Sequence, residues 1–430
     1  MSSLLAACLG LLELPGTAIA QPSAGLIQHG AYLAKAADCI ACHTASGGQP
    51  FAGGLKMGTP IGDIYSSNIT PDRAHGIGKY SYADFERAVR HGVTPSGQTL
   101  YPAMPYPSYA RASDQDMQAL YAYFMHGVPA VAQANKPVDI IWPLSMRWPL
   151  ALWRKVFVAD DQAPAVAPSD QQLLKRGAYL AESLGHCGAC HTARSVTMEE
   201  QAMSNADPRF LAGAAPLDGW VASNLRGDHR DGLGSWSLGE LMAFLRNGRN
   251  RHASAFGGMA EVVANSTQHL NDRDLLALAT YLKSLAPTDP ASKPQLADAA
   301  ATLALRAGDL RQPGAQVYVN RCAGCHRSDG AGYARVFPAL AGNPVVQSKD
   351  ATSIMHLVLV GATVPATARS PSALTMPGFS ASLSNQDVAD VVNFVRNSWG
   401  NQAPRISASA VARERKKPYN QPPVVSSARR

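Results

Sequence analysis

A chain of 430 residues, 46% hydrophobic and 16% charged, is globular and long enough for two to four domains. Its net charge of +7 is concentrated at one end: residues 401–430 hold seven Lys and Arg against one acid, leaving the rest close to neutral. No recognisable module accompanies those basic residues, which argues against a nucleic-acid partner. Nor does any stretch beyond residue 20 reach the roughly 18 uncharged apolar residues of a membrane-crossing helix.

Residues 1–20 read as a secretory signal. Leu4 to Leu12 is mostly apolar, Pro15 breaks it, and Ala18-Ile19-Ala20 offers a small-residue cleavage site before Gln21. Met1-Ser2-Ser3 lacks the basic residue that opens such segments, which puts the start site in question. Leu5-Ala6-Ala7-Cys8 resembles a lipoprotein box but falls too early to follow a working signal. Cleavage near Ala20 is therefore expected over lipidation of Cys8.

From residue 21 one pattern occurs three times. His29-Gly30-Ala31-Tyr32-Leu33-Ala34, Arg176-Gly177-Ala178-Tyr179-Leu180-Ala181 and, more loosely, Gly314-Ala315-Gln316-Val317-Tyr318 read as helices. Each leads into a C-x-x-C-H motif: Cys39 to His43, Cys187 to His191, Cys322 to His326. A middle helix follows, capped by Ser81 and closed by Gly92 in the first unit, capped by Ser237 and closed by Gly248 in the second. Its counterpart in the third is Thr352 to Val360, closed by Gly361. Each unit ends in a helix capped by Ser113, Asn271 or Ser384, with Asp116, Asp274 or Asp387 three residues on, as in a capping box. Leu120, Leu278 and Val391 share one face of those helices with Tyr123, Tyr281 and Phe394. Between units lie Pro- and Ala-rich linkers. The first contains Trp142, Trp148 and Trp153 among basic residues, a run suited to a membrane interface or to packing over the domains or a partner chain. The basic tail reads either as a tether to an anionic surface or as a solvated end.

C-x-x-C-H is the attachment signature of a c-type haem: the thiols add to the vinyl groups and the His coordinates iron. Zinc needs four ligands closing on one ion, and these motifs lie about 140 residues apart. Three haems c are expected, on Cys39 and Cys42, Cys187 and Cys190, and Cys322 and Cys325, with His43, His191 and His326 as proximal ligands.

Three Met occupy the same slot, between the middle and last helices: Met104 in Tyr101-Pro102-Ala103-Met104-Pro105-Tyr106, Met259 in Phe256-Gly257-Gly258-Met259, and Met376 in Thr375-Met376-Pro377. They follow the motif His by 61, 68 and 50 residues. In loops they would present sulfur inward, so each is the expected sixth ligand, with Met57 the rival at the first site. Ser67-Asn68 and Asp72 match Ser223-Asn224 and Asp228. These Asn residues either hydrogen-bond around the haem or cap turns. The Pro338 carbonyl is placed to hold the Nδ1 proton of His326. With Met on every iron no position stays open for oxygen chemistry, and no phosphate loop, flavin fingerprint or nucleophile elbow is present.

The haem motifs, Ile64-Tyr65-Ser66-Ser67-Asn68-Ile69-Thr70-Pro71-Asp72, the Met104 string and Trp142-Pro143-Leu144-Ser145-Met146-Arg147-Trp148-Pro149-Leu150 together resemble the three-haem cytochrome c subunits of periplasmic, membrane-bound bacterial dehydrogenases. The resemblance implies an electron-transfer subunit without substrate chemistry of its own. It would take electrons from a catalytic dehydrogenase subunit and pass them to ubiquinone or a terminal oxidase, at the periplasmic face of the inner membrane. A free-standing carrier donating to a terminal oxidase is the alternative. The expected architecture is all-α, with three tandem cytochrome c-like domains at residues 21–140, 171–290 and 307–400, linkers at 141–170 and 291–306, and a tail at 401–430.

Overall fold

Each C-x-x-C-H motif hangs from a pair of crossed helices, and the three pairs organise the computed structural model, which describes residues 22–59, 61–158, 172–217 and 219–417. Signal residues 1–20, with Cys8, lie outside the described residues.

The first unit runs α1 (Ala24–Ala36), α2 (Cys39–Cys42), β1 (Lys56–Thr59), β2 (Gly62–Tyr65), α3 (Tyr82–His91), α4 (Tyr106–Tyr109), α5 (Asp114–His126) and β3 (Asp139–Ile140). Helix α6 (Trp148–Phe157) follows. The second has α7 (Gln172–Tyr179), prolonged by a wide turn over Leu180–Leu184, then α8 (Gly188–His191), β4 (Ala214–Leu217), β5 (Trp220–Ala222), α9 (Leu238–Asn247), α10 (Gly258–Asn265) and α11 (Asp272–Ser284). After α12 (Ala300–Arg306) the third has α13 (Ala315–Arg321), α14 (Ala323–His326), α15 (Pro344–Gln347), α16 (Thr352–Val360), β6 (Gly361–Val364), β7 (Leu374–Pro377), α17 (Asn385–Arg396) and α18 (Ala408–Arg415).

The fold is mostly helical but not all-α. Each unit carries a short antiparallel ladder: β1-β2-β3, β4-β5 and β6-β7. These strands are two to four residues long, too short for a period-two pattern to stand out in sequence.

The crossing of first and last helices is set by one glycine per unit. A Cβ on Gly30 would lie 1.9 Å from the Ala119 carbonyl oxygen, one on Gly177 2.1 Å from that of Ala277, and one on Gly314 2.2 Å from that of Asp390. Only a residue without a side chain lets the helices approach this closely. Leu33, Met117 and Leu275 are then fully buried beside the crossings.

The predicted caps form. Ser81, Ser113, Ser237, Asn271 and Ser384 each accept from the backbone N–H three residues on. Gly92 (φ 62°) and Gly248 (φ 70°) close α3 and α9 in the left-handed region. The box is reciprocal at Ser81 and Ser384 only. Asp116 and Asp274 face the opposite unit instead. Tyr32 Oη donates to Asp274 Oδ2 at 2.6 Å, and Tyr179 Oη donates to Asp116 Oδ2 at 2.7 Å. Arg176 grips Asp274 through Nε and Nη2 (2.8 and 2.7 Å), and His29 Nε2 stands 2.9 Å from Asp116. The first two units thus interlock reciprocally, and one continuous apolar core, from Leu33 to Leu285, runs through both. The third has its own core around Tyr318, Phe394 and Trp399.

One linker assignment and the tail assignment are corrected. Ala301 and Leu305, one turn apart on α12, bury in the third core, so residues 300–306 belong to that unit. Within the tail, α18 packs on it through fully buried Val411, and Arg415 binds Asn385 and the Leu383 carbonyl. Residues 418–430 lie outside the described residues, as do 159–170 of the first linker. In α6, Trp153 turns inward, its Nε1 donating to the Thr197 carbonyl at 2.8 Å, while Trp148, Leu152 and Val156 share an outward face, 60–67% exposed.

Burial alone would raise the Asp274 carboxyl, but Arg176 and Tyr32 outweigh it and hold it below the usual carboxylate range. Its stabilisation is therefore full above about pH 4 and lost as pH falls through the lowered value. Asp274→Asn is expected to cost about 2 kcal/mol at neutral pH by denaturant unfolding, a difference that shrinks in acid.

Candidate haem sites

The sites are built from short helical turns. Cys39 and Cys42 lie on α2, and the other two motifs follow the same turn at α8 and α14. All six thiols are unbridged. Burial pushes the Cys39 and Cys187 thiols up to about 12, and that of Cys322 to about 11. Thiols held protonated at neutral pH are poor candidates for disulfide exchange, which works through thiolate. Among the described residues no cluster of three or more His, Cys, Asp and Glu forms a metal cage.

The three motif His share one feature. His43 Nδ1 lies 2.7 Å from the Ser67 carbonyl, His191 Nδ1 2.7 Å from that of Ser223, and His326 Nδ1 3.0 Å from that of Pro338. A carbonyl only accepts, so Nδ1 carries the proton and Nε2 keeps its lone pair. Burial lowers the pKa of each, partly offset by that hydrogen bond, so the rings are neutral and able to ligate at pH 7. Two thiols on one turn beside an oriented neutral imidazole fit covalent haem, and they do so three times.

The expected Pro338 contact is present. The other two acceptors are backbone carbonyls of Ser67 and Ser223, which carry no side-chain signal; only the adjacent Asn marks them. Asn68 caps its turn. Its Oδ1 accepts from Thr70 N and Oγ1, and its Nδ2 donates to the Val131 and Gln133 carbonyls. Asn224 accepts from Arg226 N and donates to Asp228. Asp72 takes the amides of Ala74 and His75, whereas Asp228 holds Thr288 and Asp289 beyond α11.

The three Met differ in setting. Met104 sits in the loop before α4, half-buried against the shared core. Met259 also packs on that core but is the second residue of α10, not a loop residue. Met376 is half-buried on β7, paired with Ala362. The structure therefore puts the Met104 and Met259 side chains against the core that Cys39 and Cys187 line, while the third core does not include Met376. Met57 lies on β1, paired with Ile64.

The first and second motifs lie close together. Tyr109 Oη donates to the Ala37 carbonyl at 3.0 Å, His186 Nε2 approaches that oxygen at 3.4 Å, and the Tyr109 and His186 rings meet edge to face.

The cytochrome c family model matches residues 27–127 and 312–399. The gluconate 2-dehydrogenase cytochrome c subunit of Pantoea cypripedii is 56% identical over 420 residues, 97% of this chain and 95% of the relative. The chain belongs to the family of dehydrogenase cytochrome c subunits. The cytochrome c subunit of a quinone alcohol dehydrogenase from Gluconobacter oxydans is 50% identical over 96% of this chain and 87% of its own. The fructose dehydrogenase cytochrome subunit of Gluconobacter japonicus is 34% identical, over 90% and 82%. The family model leaves the second unit unmatched, yet that unit repeats the element order and the His-to-carbonyl contact of the first.

Because Asn68 is buried and fully bonded, Asn68→Ala is expected to cost about 2 kcal/mol and to loosen the Ser67 carbonyl under His43. Thermal unfolding of the haem-loaded protein measures the first effect, and the shift in its visible spectrum the second.

Proposed function

We propose that this protein is the electron-transfer subunit of a membrane-associated dehydrogenase, built of three tandem cytochrome c domains that each carry one haem c. The observation that carries this reading is the oriented imidazole beside two thiols, repeated in all three units. Cys39 and Cys42, Cys187 and Cys190, and Cys322 and Cys325 would hold the haems through thioether bonds. His43 with Met104, His191 with Met259, and His326 with Met376 would ligate the irons. When bound, the haems supply one-electron carriers whose potentials respond to axial ligand and hydrogen bonding. The chain's own residues hold those ligands: the Ser67, Ser223 and Pro338 carbonyls fix the imidazoles, and the interlock between the first two units fixes the spacing of their sites.

The electron donor is a separate catalytic dehydrogenase chain, as the names of the relatives indicate for those proteins, and the acceptor is ubiquinone or a terminal oxidase. The site of action is the periplasmic face of the inner membrane, reached after cleavage of residues 1–20. No described helix is long and apolar enough to cross a membrane. Support for attachment comes from the outward face around α6, where Ile141 and Trp142 are 72% and 79% exposed and Lys155 is exposed beside Leu152 and Val156.

Haem quantification is expected to give three haems per chain, and affinity purification from detergent-solubilised membranes to recover a dehydrogenase subunit whose substrate reduces a soluble ubiquinone analogue. A chain recovered alone, reducing a terminal oxidase directly, would favour the free-standing carrier. Replacing Trp142, Trp148 and Leu152 by Ser is expected to move the complex from the membrane to the soluble fraction with its haem content intact.

A further inference from the structure

Strand β5 adjoins both His191 and the segment that leads into Met259, and it reaches the third unit as well. Just past its end, the Ser223 carbonyl receives Nδ1 of His191. At its start, Trp220 lies under the approach to Met259: its ring centroid is 5.0 Å from that of Phe256, and a Cβ on Gly257 would come within 2.6–2.7 Å of the indole. Gly257 adopts φ 53° and ψ −141°, a conformation closed to other residues, so the indole and the chain fit at this one point. Helix α10 begins immediately afterwards without a side-chain cap, and Met259 is its second residue. In that turn Met259 packs on the shared core and Ala260 is buried.

Trp220 also meets the third unit. Its ring centroid lies 4.0 Å from that of His356, buried on α16, and Val221 N donates to Ser353 Oγ on the same helix at 2.8 Å. Helix α16 runs directly into β6, the partner of the strand that carries Met376. Three residues before the Ser67 carbonyl, the first unit has Ile64 where the second has Trp220. Ile64 pairs with Met57 in its own sheet, as Trp220 does with Leu217, but it carries no aromatic ring.

We propose that Trp220 is a positioning residue that clamps the start of α10 against the third unit and thereby keeps Met259 on the iron of the second haem. The proposal rests on the ligand assignment made above. It makes Met ligation in the second unit depend on docking of the third, a dependence for which Ile64 gives the first unit no equivalent.

Proton NMR of the reduced, haem-loaded protein counts Met ligands separately, since each coordinated methyl group is shifted far upfield by its haem. Three such resonances are expected in the wild type and two in Trp220→Leu, which also gains carbon monoxide binding at one haem. Trp220→Phe restores the third resonance by keeping a flat ring over Gly257. His356→Ala, in the third unit, weakens the same resonance. Three unchanged resonances and no carbon monoxide binding in Trp220→Leu would overturn the clamp, and an unchanged spectrum in His356→Ala would overturn its dependence on the third unit. A wild type that already binds carbon monoxide or carries fewer than three haems would overturn the ligand assignment itself, and the clamp with it. Haem content equal to wild type in every variant separates these outcomes from failed assembly.

Discussion

Everything in this molecule depends on how closely two helices can cross. In each unit a glycine lets the leading helix settle onto a backbone carbonyl of the closing helix, at a separation that a single methyl group would forbid. The motif turn begins eight to ten residues beyond that glycine, so the crossing sets where both thiols and the imidazole arrive. The carbonyl that orients the imidazole comes from a loop that returns over the same turn. Helix crossing, loop return and ligand orientation form one chain of constraints, repeated with different side chains.

The repeats are joined in two ways. The first and second units share a core and exchange Tyr-to-Asp hydrogen bonds across it. Each Asp serves both as a neighbour of its own helix cap and as an anchor for the other unit's Tyr. The third unit keeps a separate core and meets the second through strand β5, through the Asn343 side chain on the His252 carbonyl, and through Arg335 N on the Asn250 carbonyl. The first joint is a fused interior and the second a docked surface.

Much of this was legible in the residues. The motifs, the helix caps, the closing glycines and the repeat of Tyr32 at Tyr179 are local signals, and local signals survive translation into structure. What failed was partner choice. Asp116 and Asp274 stand where a capping box would use them, and nothing in the sequence says that a Tyr from another unit takes them instead. Ser67 and Ser223 act through backbone carbonyls, which every residue has. Met259 reads as a loop residue because Phe256-Gly257-Gly258 looks like a break, yet the helix starts inside that break. Helices α12 and α18 lie in Ala-rich and basic stretches whose composition suggests solvent. Two buried residues on each, Ala301 and Leu305 on one and Val411 and Glu414 on the other, were enough to draw them in.

The reciprocal Tyr-to-Asp exchange also decides how the chain can be divided. A fragment ending after the first unit would take Asp274 from Tyr32 and Tyr179 from Asp116 and open half of a common interior to water. A fragment ending between α11 and α12 would keep both exchanges and that interior whole. The smallest indivisible piece of this chain is therefore two units, and the third is a module added to it.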